Sequence, residues 1–274
     1  MREVGKVLFS VVVFSVLLTG CLFVIQRSLT YFPDTSPPSL KRGGVPDMEA
    51  VTLRTADGLE LLSWYKAAAP GQPTMAFFQG NAGNIEMRGF KVRPFLDQGI
   101  GMLLVGYRGY GGNAGKPSET GLYADGRAAL EFLSERKVER RRIVLYGESL
   151  GTGVAVHLAR EAAADEPVGG LVLEAPFTAL GDVAQHHYFY LPARWLVRDR
   201  FESAAKIADV RAPVLIVHGE EDGVVPVKFG RRLFDAALEP KRGLWIEGYG
   251  HNDLYVSPVA LDVMAFLREF VTAE

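Results

Sequence analysis

Two kinds of hydrophobic pattern alternate along the chain after about residue 48. Continuously apolar runs occupy residues 74–78, 102–105, 143–146, 171–173 and 214–217. Such runs are typical of strands buried on both faces of a sheet. Between them, apolar residues recur at helical spacing, as at positions 259, 263, 266 and 270. The alternation predicts an α/β fold with a mostly parallel, twisted sheet and helices on both of its faces.

Two segments depart from this pattern. Apolar and polar residues alternate in 51–53 and 59–61 around the turn Ala56-Asp57-Gly58, which predicts an antiparallel hairpin. The stretch from about 177 to 205 fits neither period and is rich in large apolar residues. We interpret it as a small cap inserted into a single domain that covers residues 48–274.

The first 27 residues have the pattern of a membrane anchor. Residues 7–25 are almost unbroken apolar sequence behind Arg2 and Lys6. A helix of this length spans roughly 28 Å, which matches a bilayer core. The two cations favour an extracytoplasmic catalytic domain, in the cell inner membrane if the source is bacterial, although Arg27 and further cations at 41 and 42 weaken that expectation.

A lipid anchor is the alternative form of attachment. Leu18-Thr19-Gly20-Cys21 resembles a bacterial lipobox, and Cys21 is the single cysteine of the chain. The apolar run continues through residues 22–25, which favours an uncleaved signal anchor over a lipoprotein. A released secreted protein is the least favoured form. The Pro- and Gly-rich residues 28–47 are expected to be an extended tether between anchor and domain.

The composition of the chain limits the classes of partner, metal and cofactor that it is expected to bind. With 274 residues and a net charge of −2, the chain can form one substantial core and has no basic excess for a nucleic-acid partner. One cysteine excludes an intrachain disulfide and a cysteine-based zinc site, and the histidines lack metal-binding spacing. The glycine-rich residues 106–117 match neither a dinucleotide fingerprint nor a phosphate loop. We expect no metal and no cofactor, and the oligomeric state is left open.

A candidate nucleophile follows the run 143–146. Gly147-Glu148-Ser149-Leu150-Gly151 has the G-x-S-x-G pattern of a nucleophile elbow, in which a strand turns sharply into a helix. The two glycines leave room for a tight reversal that lifts the serine hydroxyl clear of the sheet. The pattern predicts Ser149 as the nucleophile of a hydrolase.

A serine hydroxyl needs a base to remove its proton and a carboxylate to orient that base. In folds of this kind both follow the serine on loops at strand ends. His251, in a glycine-lined loop before the last predicted helix, is the predicted base. Asp222 precedes a Gly-Val-Val-Pro turn and is favoured as the acid over the carboxylates at 220, 221 and 253. His157 is expected to be a core or surface histidine and His218 to make structural hydrogen bonds. The histidines at 186 and 187, in the predicted cap, are expected to contact substrate or to be exposed to solvent.

Acyl transfer also requires donors for the oxyanion of the tetrahedral intermediate. The N–H that follows the nucleophile belongs to Leu150. The glycine loop 80–84 can point backbone N–H groups into the crevice, and Asn81 is the predicted second donor.

Five segments, in order, resemble one branch of the α/β-hydrolase superfamily, which includes fungal bud-emergence-type proteins and animal membrane-anchored α/β-hydrolase-domain proteins. They are GNAGN at 80–84, YRGYG at 107–111, GESLG at 147–151, HGEED at 218–222 and GHND at 250–253. The resemblance implies the α/β-hydrolase fold, with Ser149 as nucleophile, Asp222 as acid and His251 as base. It also favours a membrane anchor, and the domain is similar to those described as serine aminopeptidase-like.

The favoured function is a serine hydrolase that cleaves carboxylic esters or thioesters through an acyl-enzyme. The aromatic cap suggests an apolar acyl group. A serine peptidase acting on short peptides is the alternative, and a non-catalytic membrane-tethered binding protein is less favoured. The acyl chain and the leaving group are left open.

Overall fold

The computed structural model describes residues 25–254 and 258–271, together with residues 4, 6, 9, 10, 13, 20 and 23. An eight-stranded sheet forms its centre, in the order β10-β9-β8-β7-β4-β6-β3-β2. The strands are β2 (Glu49–Arg54), β3 (Glu60–Lys66), β4 (Thr74–Phe78), β6 (Gly101–Leu104), β7 (Ile143–Glu148), β8 (Gly170–Glu174), β9 (Val214–Gly219) and β10 (Lys241–Ile246). Only the pairings of β3 with β2 and β6 are antiparallel. Two short strands, β1 (Phe32–Pro33) and β5 (Ala82–Gly83), form a separate parallel pair.

Helices cover the sheet on both faces. They are α1 (Gly89–Asp97), α2 (Glu119–Glu135), α3 (Leu150–Ala162), α4 (Leu180–His187), α5 (Ala193–Leu196), α6 (Val227–Ala236) and α7 (Val259–Phe270). Short 3-10 turns occupy Ile85–Arg88, Arg140–Arg142 and Ile207–Asp209. The core forms two clusters, one with α2, α3 and α6 and the other with α1 and α7. Alternate strand residues enter opposite clusters, since Phe78 packs in the first and Phe77 in the second.

The predicted mostly parallel sheet with helices on both faces is confirmed. All five continuous apolar runs form strands, and 51–53 with 59–61 lie in the antiparallel pair β2 and β3. Within the eight-stranded sheet, strand β10 had no sequence signal, because it lies at the sheet edge and all six of its residues are only partly buried. The segment 177–205 carries α4 and α5 between strands β8 and β9.

The N-terminal expectations fall mostly outside the described part of the chain. Cys21 lies outside the described residues, as do most residues of the apolar stretch 7–25. No helix within the described ranges is both long and apolar enough to cross a membrane.

The tether expected over residues 28–47 is packed against the domain. Residues 25–30 are helical, and β1 pairs with β5, which is part of the glycine loop 80–84. Tyr31 and Val45 are buried in the two clusters. The prediction of an extended linker is therefore wrong for this segment, because its apolar side chains find partners that are distant in sequence.

The reversal from β7 to α3 permits no side chain at Gly151. A Cβ there would lie 2.0 Å from the carbonyl oxygen of Phe78 at the end of β4. The helix therefore begins in direct backbone contact with the centre of the sheet.

We expect Gly151→Ala to lower the free energy of unfolding by about 1–3 kcal/mol or more, because the added methyl group forces α3 away from β4. The matched control is Gly223→Ala, where an added Cβ meets nothing within 4 Å. Calorimetric melting should separate the two variants by several degrees, and equal melting temperatures would contradict this account of the elbow.

Candidate active site

Ser149 occupies the turn between β7 and α3 in a backbone conformation that L-residues rarely adopt, with φ 49° and ψ −114°. A Cβ at Gly147 would lie 2.5 Å from the Cα of Thr152, so both flanking glycines are sterically required. The Ser149 N–H donates to the Glu174 carbonyl at 2.8 Å, which anchors the turn to β8. The geometry is that of a nucleophile elbow.

The structure brings Ser149, His251 and Asp222 together in one hydrogen-bonded line. His251 Nε2 lies 2.9 Å from the Ser149 hydroxyl, and His251 Nδ1 lies 2.7 Å from Asp222 Oδ2. With the proton on Nδ1, the imidazole donates to the carboxylate and accepts from the serine. A hydroxyl in this position can be deprotonated as it attacks a carbonyl carbon.

Asp222 is held by more than the histidine. Its Oδ1 accepts the N–H groups of Val224 and Val225, at 2.8 and 2.7 Å. Burial alone would raise the pKa of the Asp222 carboxyl, but hydrogen bonds from His218 and His251 outweigh that effect, and the pKa lies well below its ordinary value. Asp222 therefore stays ionised through mildly acidic pH and keeps its charge beside His251.

His218 is a second histidine at the same carboxylate. Its Nε2 lies 2.7 Å from the Val225 carbonyl and 3.2 Å from Asp222 Oδ2, and the ring is fully buried.

His157 stacks on Tyr123 and pairs with Glu161. Neither histidine lies in the cavity beside Ser149, whereas His187 of α4 does. The sequence pattern offered no signal for the His218 contact.

The two predicted oxyanion donors lie beside the serine. Leu150 is the first residue of α3, so its N–H precedes the intrahelical hydrogen-bond ladder and points toward the helix N-terminus. Asn81 lines the same cavity as Ser149. Its side-chain amide donates to the Thr30 carbonyl at 2.9 Å, which leaves the backbone of Asn81 as the candidate donor.

A buried ionic cluster lies directly under the elbow, and sequence reasoning missed it. Glu148 accepts from Arg88 Nε at 2.8 Å and Lys91 Nζ at 2.6 Å, and Lys91 also contacts Glu174 at 2.8 Å. Burial alone would raise the pKa of Glu148, but the charges of Lys91 and Arg88 outweigh that effect and lower it below its ordinary value. The partners come from three separate segments, so no spacing along the chain reveals the cluster.

Glu148 also connects the elbow to the glycine loop. Its Oε2 accepts the N–H of Gly80 at 3.1 Å, one residue before Asn81. The Cβ of Ser149 lies within van der Waals distance of the position a Gly80 side chain would take. Glu148 thereby holds the peptide directly before the one that carries the second candidate donor.

A cavity of about 480 Å³ opens beside Ser149. Most of its wall is apolar and comes from α4, α5 and the flanking loops. These side chains are Phe177, Leu180, Val183, Ala184, Leu191, Ala193, Leu196, Val197, Val224 and Val225. Among the residues that the structure describes, no carboxylate lines it. The cavity suits an uncharged hydrocarbon group.

The segment before β1 completes this wall. Phe23, Gln26, Leu29 and Thr30 line the cavity. Arg27 forms a two-point ion pair with Asp199, at 2.8 and 2.9 Å. Gln26 accepts the N–H of residue 198 at 2.7 Å and donates to the carbonyl of residue 196 at 3.3 Å. The end of the apolar N-terminal stretch is thus bound to the cap, and nothing in its local sequence had indicated that role.

Comparison with known proteins identifies the family of the chain. Residues 91–206 match the family model described as serine aminopeptidase, S33. The chain is 33% identical to the alpha/beta hydrolase domain-containing protein 17B of Xenopus tropicalis, over 83% of this chain and 76% of that protein. It is 32% identical to the lysophosphatidylserine lipase ABHD12 of Danio rerio, over 75% of this chain and 61% of the relative.

The fold has solved counterparts. The Pyrococcus furiosus esterase Pf2001 superposes with a TM-score of 0.70 at 19% identity, over 88% of this chain and 99% of the esterase. The fold and elbow define the class of α/β hydrolases. Within that class, the chain belongs to the branch of the α/β-hydrolase superfamily with a serine aminopeptidase-like domain. The resemblance stated from the sequence is confirmed, while the roles of individual residues stay predictions.

The ionic cluster yields a test of the site. Glu148→Gln removes the negative charge between Arg88 and Lys91, and we expect a loss of about 3 kcal/mol in unfolding free energy. Because the Gly80 peptide loses its charged acceptor, kcat should fall by up to about a hundredfold, with a smaller change in KM.

The control for this variant is Glu161→Gln, which breaks an exposed pair with Arg127 and should cost less than about 1 kcal/mol. Ester hydrolysis and chemical denaturation measure both quantities. An unchanged kcat in folded Glu148→Gln protein would contradict a role for Glu148 in orienting the glycine loop.

Proposed function

We propose that this protein is a serine hydrolase that cleaves carboxylic esters or thioesters through an acyl-enzyme. The observation that carries the proposal is the line of hydrogen bonds from Asp222 through His251 to Ser149, with the serine hydroxyl at the end of an apolar cavity. The proposal assigns Ser149 as nucleophile, His251 as base and Asp222 as the acid that orients it.

The reaction follows from these positions. Ser149 Oγ attacks the carbonyl carbon while His251 Nε2 takes the hydroxyl proton. The oxyanion is held by the N–H groups of Leu150 and Asn81. When the intermediate collapses, His251 returns the proton to the departing alcohol or thiol. Water, activated by His251, then attacks the acyl-enzyme, which releases the carboxylic acid and restores Ser149.

The apolar cavity supports the proposal that the protein binds an extended acyl chain of its substrate. Most of its wall is hydrocarbon, and burial of each methylene group there is worth about 0.8 kcal/mol. The names of two relatives, a lipase and an esterase, agree with ester hydrolysis.

A peptidase that binds a free amino terminus is the weaker candidate, although the matching family model is described as serine aminopeptidase. A protonated amine needs a carboxylate partner, and no described residue of the cavity wall carries one. Faster cleavage of aminoacyl amides than of acyl esters would favour the peptidase.

The proposal includes attachment to a membrane through residues 1–27, by a signal anchor or by lipid at Cys21, with the catalytic domain on the extracytoplasmic side. Its support is the apolar stretch 7–25 and the cations Arg2 and Lys6.

A fluorophosphonate probe tests the nucleophile. We expect the full-length protein to be labelled and Ser149→Ala to lose all labelling, because the probe reacts only with an activated serine hydroxyl. The control Ser134→Ala removes an exposed hydroxyl from α2 and should label normally. Mass analysis of the adduct identifies the residue, and equal labelling of Ser149→Ala and the wild type would disprove the assignment.

A chain-length series of acyl nitrophenyl esters tests the acyl pocket. Ala184→Phe places a ring in the cavity, so the preferred acyl chain should shorten by several carbons, with at least about a tenfold loss in kcat/KM for the longest ester. The control is His186→Phe, on the same helix but outside the cavity wall. The same chain-length profile in Ala184→Phe and in wild type would show that the chain binds elsewhere.

A further inference from the structure

The cap exposes an unusual concentration of aromatic side chains. Between residues 188 and 195, Phe189 is 81% exposed, Trp195 77%, Tyr190 68% and Tyr188 52%. We call residues 188–195 the aromatic segment. The ring of Tyr190 lies 5.5 Å from that of Phe189 and 6.5 Å from that of Tyr188, so these three rings form one apolar surface. Exposed apolar surface of this kind marks a site of contact with another molecule or a membrane.

The aromatic segment adjoins the cavity. Tyr188 and Leu191 line it from within the segment. Phe23 and Leu29 line it from the N-terminal side and are themselves 46% and 58% exposed. One continuous apolar surface therefore runs from the cavity wall to the outside of the cap.

The occupant of this surface is indicated by where the apolar stretch 7–25 ends. Phe23 belongs to that stretch, and the Arg198 guanidinium lies 5.1 Å from the centre of its ring. The Arg27–Asp199 pair then holds the next turn against the cap. If residues 7–25 lie in a bilayer, these contacts bring the aromatic segment to its surface, where Trp and Tyr are the preferred side chains.

Most charged side chains beside this surface are in ion pairs, and the guanidinium of Arg198 lies over the ring of Phe23. Arg194 pairs with Asp182, Arg200 with Glu202, and Asp199 with Arg27. Contact with a membrane would therefore depend on aromatic insertion and would tolerate neutral lipid and high salt.

We propose that the aromatic segment inserts into the membrane–water interface, so that the cavity opens toward the bilayer and receives the acyl chain of a membrane lipid or lipid-linked ester directly from it. The delivery of substrate rests on the proposed ester hydrolase function and on the proposed N-terminal attachment. Insertion itself is a separate physical property, which can be measured without turnover.

Trp195 is a natural reporter of insertion. The full-length protein is reconstituted into phosphatidylcholine vesicles, with or without bromine atoms on carbons 6 and 7 of the acyl chains, in about 0.5 M salt, where surface charges are screened. Bromolipid should quench the wild-type tryptophan emission, and Trp195→Phe should lose the quenched component. Of the other two tryptophans, Trp64 is only 1% exposed, and Trp245 is half-buried in edge strand β10, with its ring against Phe234. Equal quenching of the two proteins, or none in either, would overturn the proposal.

Turnover gives a second readout. In the double variant Phe189→Ser and Trp195→Ser, we expect cleavage of a vesicle-embedded fluorogenic ester to fall at least about tenfold, from lost burial of two aromatic side chains. Cleavage of a short water-soluble ester should not change, because neither residue lines the cavity. Leu261→Ser, at an exposed position of α7, is the matched control and should leave both rates unchanged.

The outcomes separate the two proposals. If the wild type cleaves no ester and binds no fluorophosphonate, the proposed function is wrong, while Trp195 quenching still reports insertion. If the soluble ester is cleaved but Trp195 is not quenched, only the membrane contact is overturned. Lipid-free self-association that the double variant abolishes, without quenching in vesicles, would instead assign the segment to contact between two copies.

Discussion

The backbone reversal at Ser149 is the constraint on which the rest of the site depends. The serine that joins strand β7 to helix α3 has φ 49°. Backbone atoms occupy the positions that side chains at Gly147 and Gly151 would take. Strain of this kind persists only where the surroundings hold it. The hydrogen bond from Ser149 N–H to β8 and the ionic cluster around Glu148 supply that support, and both act from the centre of the sheet.

The parallel sheet explains why the remaining groups converge on this serine. The loops after β4, β7, β8 and β9 all leave the same edge of the sheet, so the glycine loop, the elbow, the cap and Asp222 share one crevice. His251 follows β10 at that edge, and Asp222 bonds to two backbone N–H groups as well as to the imidazole. Glu148 connects two of these loops. The same carboxylate thus supports the elbow and restrains the glycine loop that carries the second candidate donor.

The N-terminal segment is the part of the site in which the structure differs most from the sequence prediction. Local sequence around residues 28–47, with its prolines and glycines, indicated a spacer, yet these residues pack on the domain and those just before them form a wall of the cavity. Removal of Phe23 and the residues after it would therefore remove part of the cavity wall. If the proposed N-terminal attachment holds, one short stretch of chain would contribute to both attachment and the cavity wall.

Sequence alone determined the features that follow from local pattern. Continuous apolar runs defined the buried parallel strands, and the G-x-S-x-G turn with later Asp222 and His251 identified the candidate chemistry. Edge strand β10 and the Arg88–Glu148–Lys91–Glu174 cluster could not be predicted, because each depends on contacts between segments that are distant in the sequence. The contact of His218 with Asp222 is local in sequence, but it depends on the conformation of the turn after β9. Only the tertiary structure decided which apolar residues form the cavity and which remain exposed on the cap, since burial is a property of packing between elements and not of any one element.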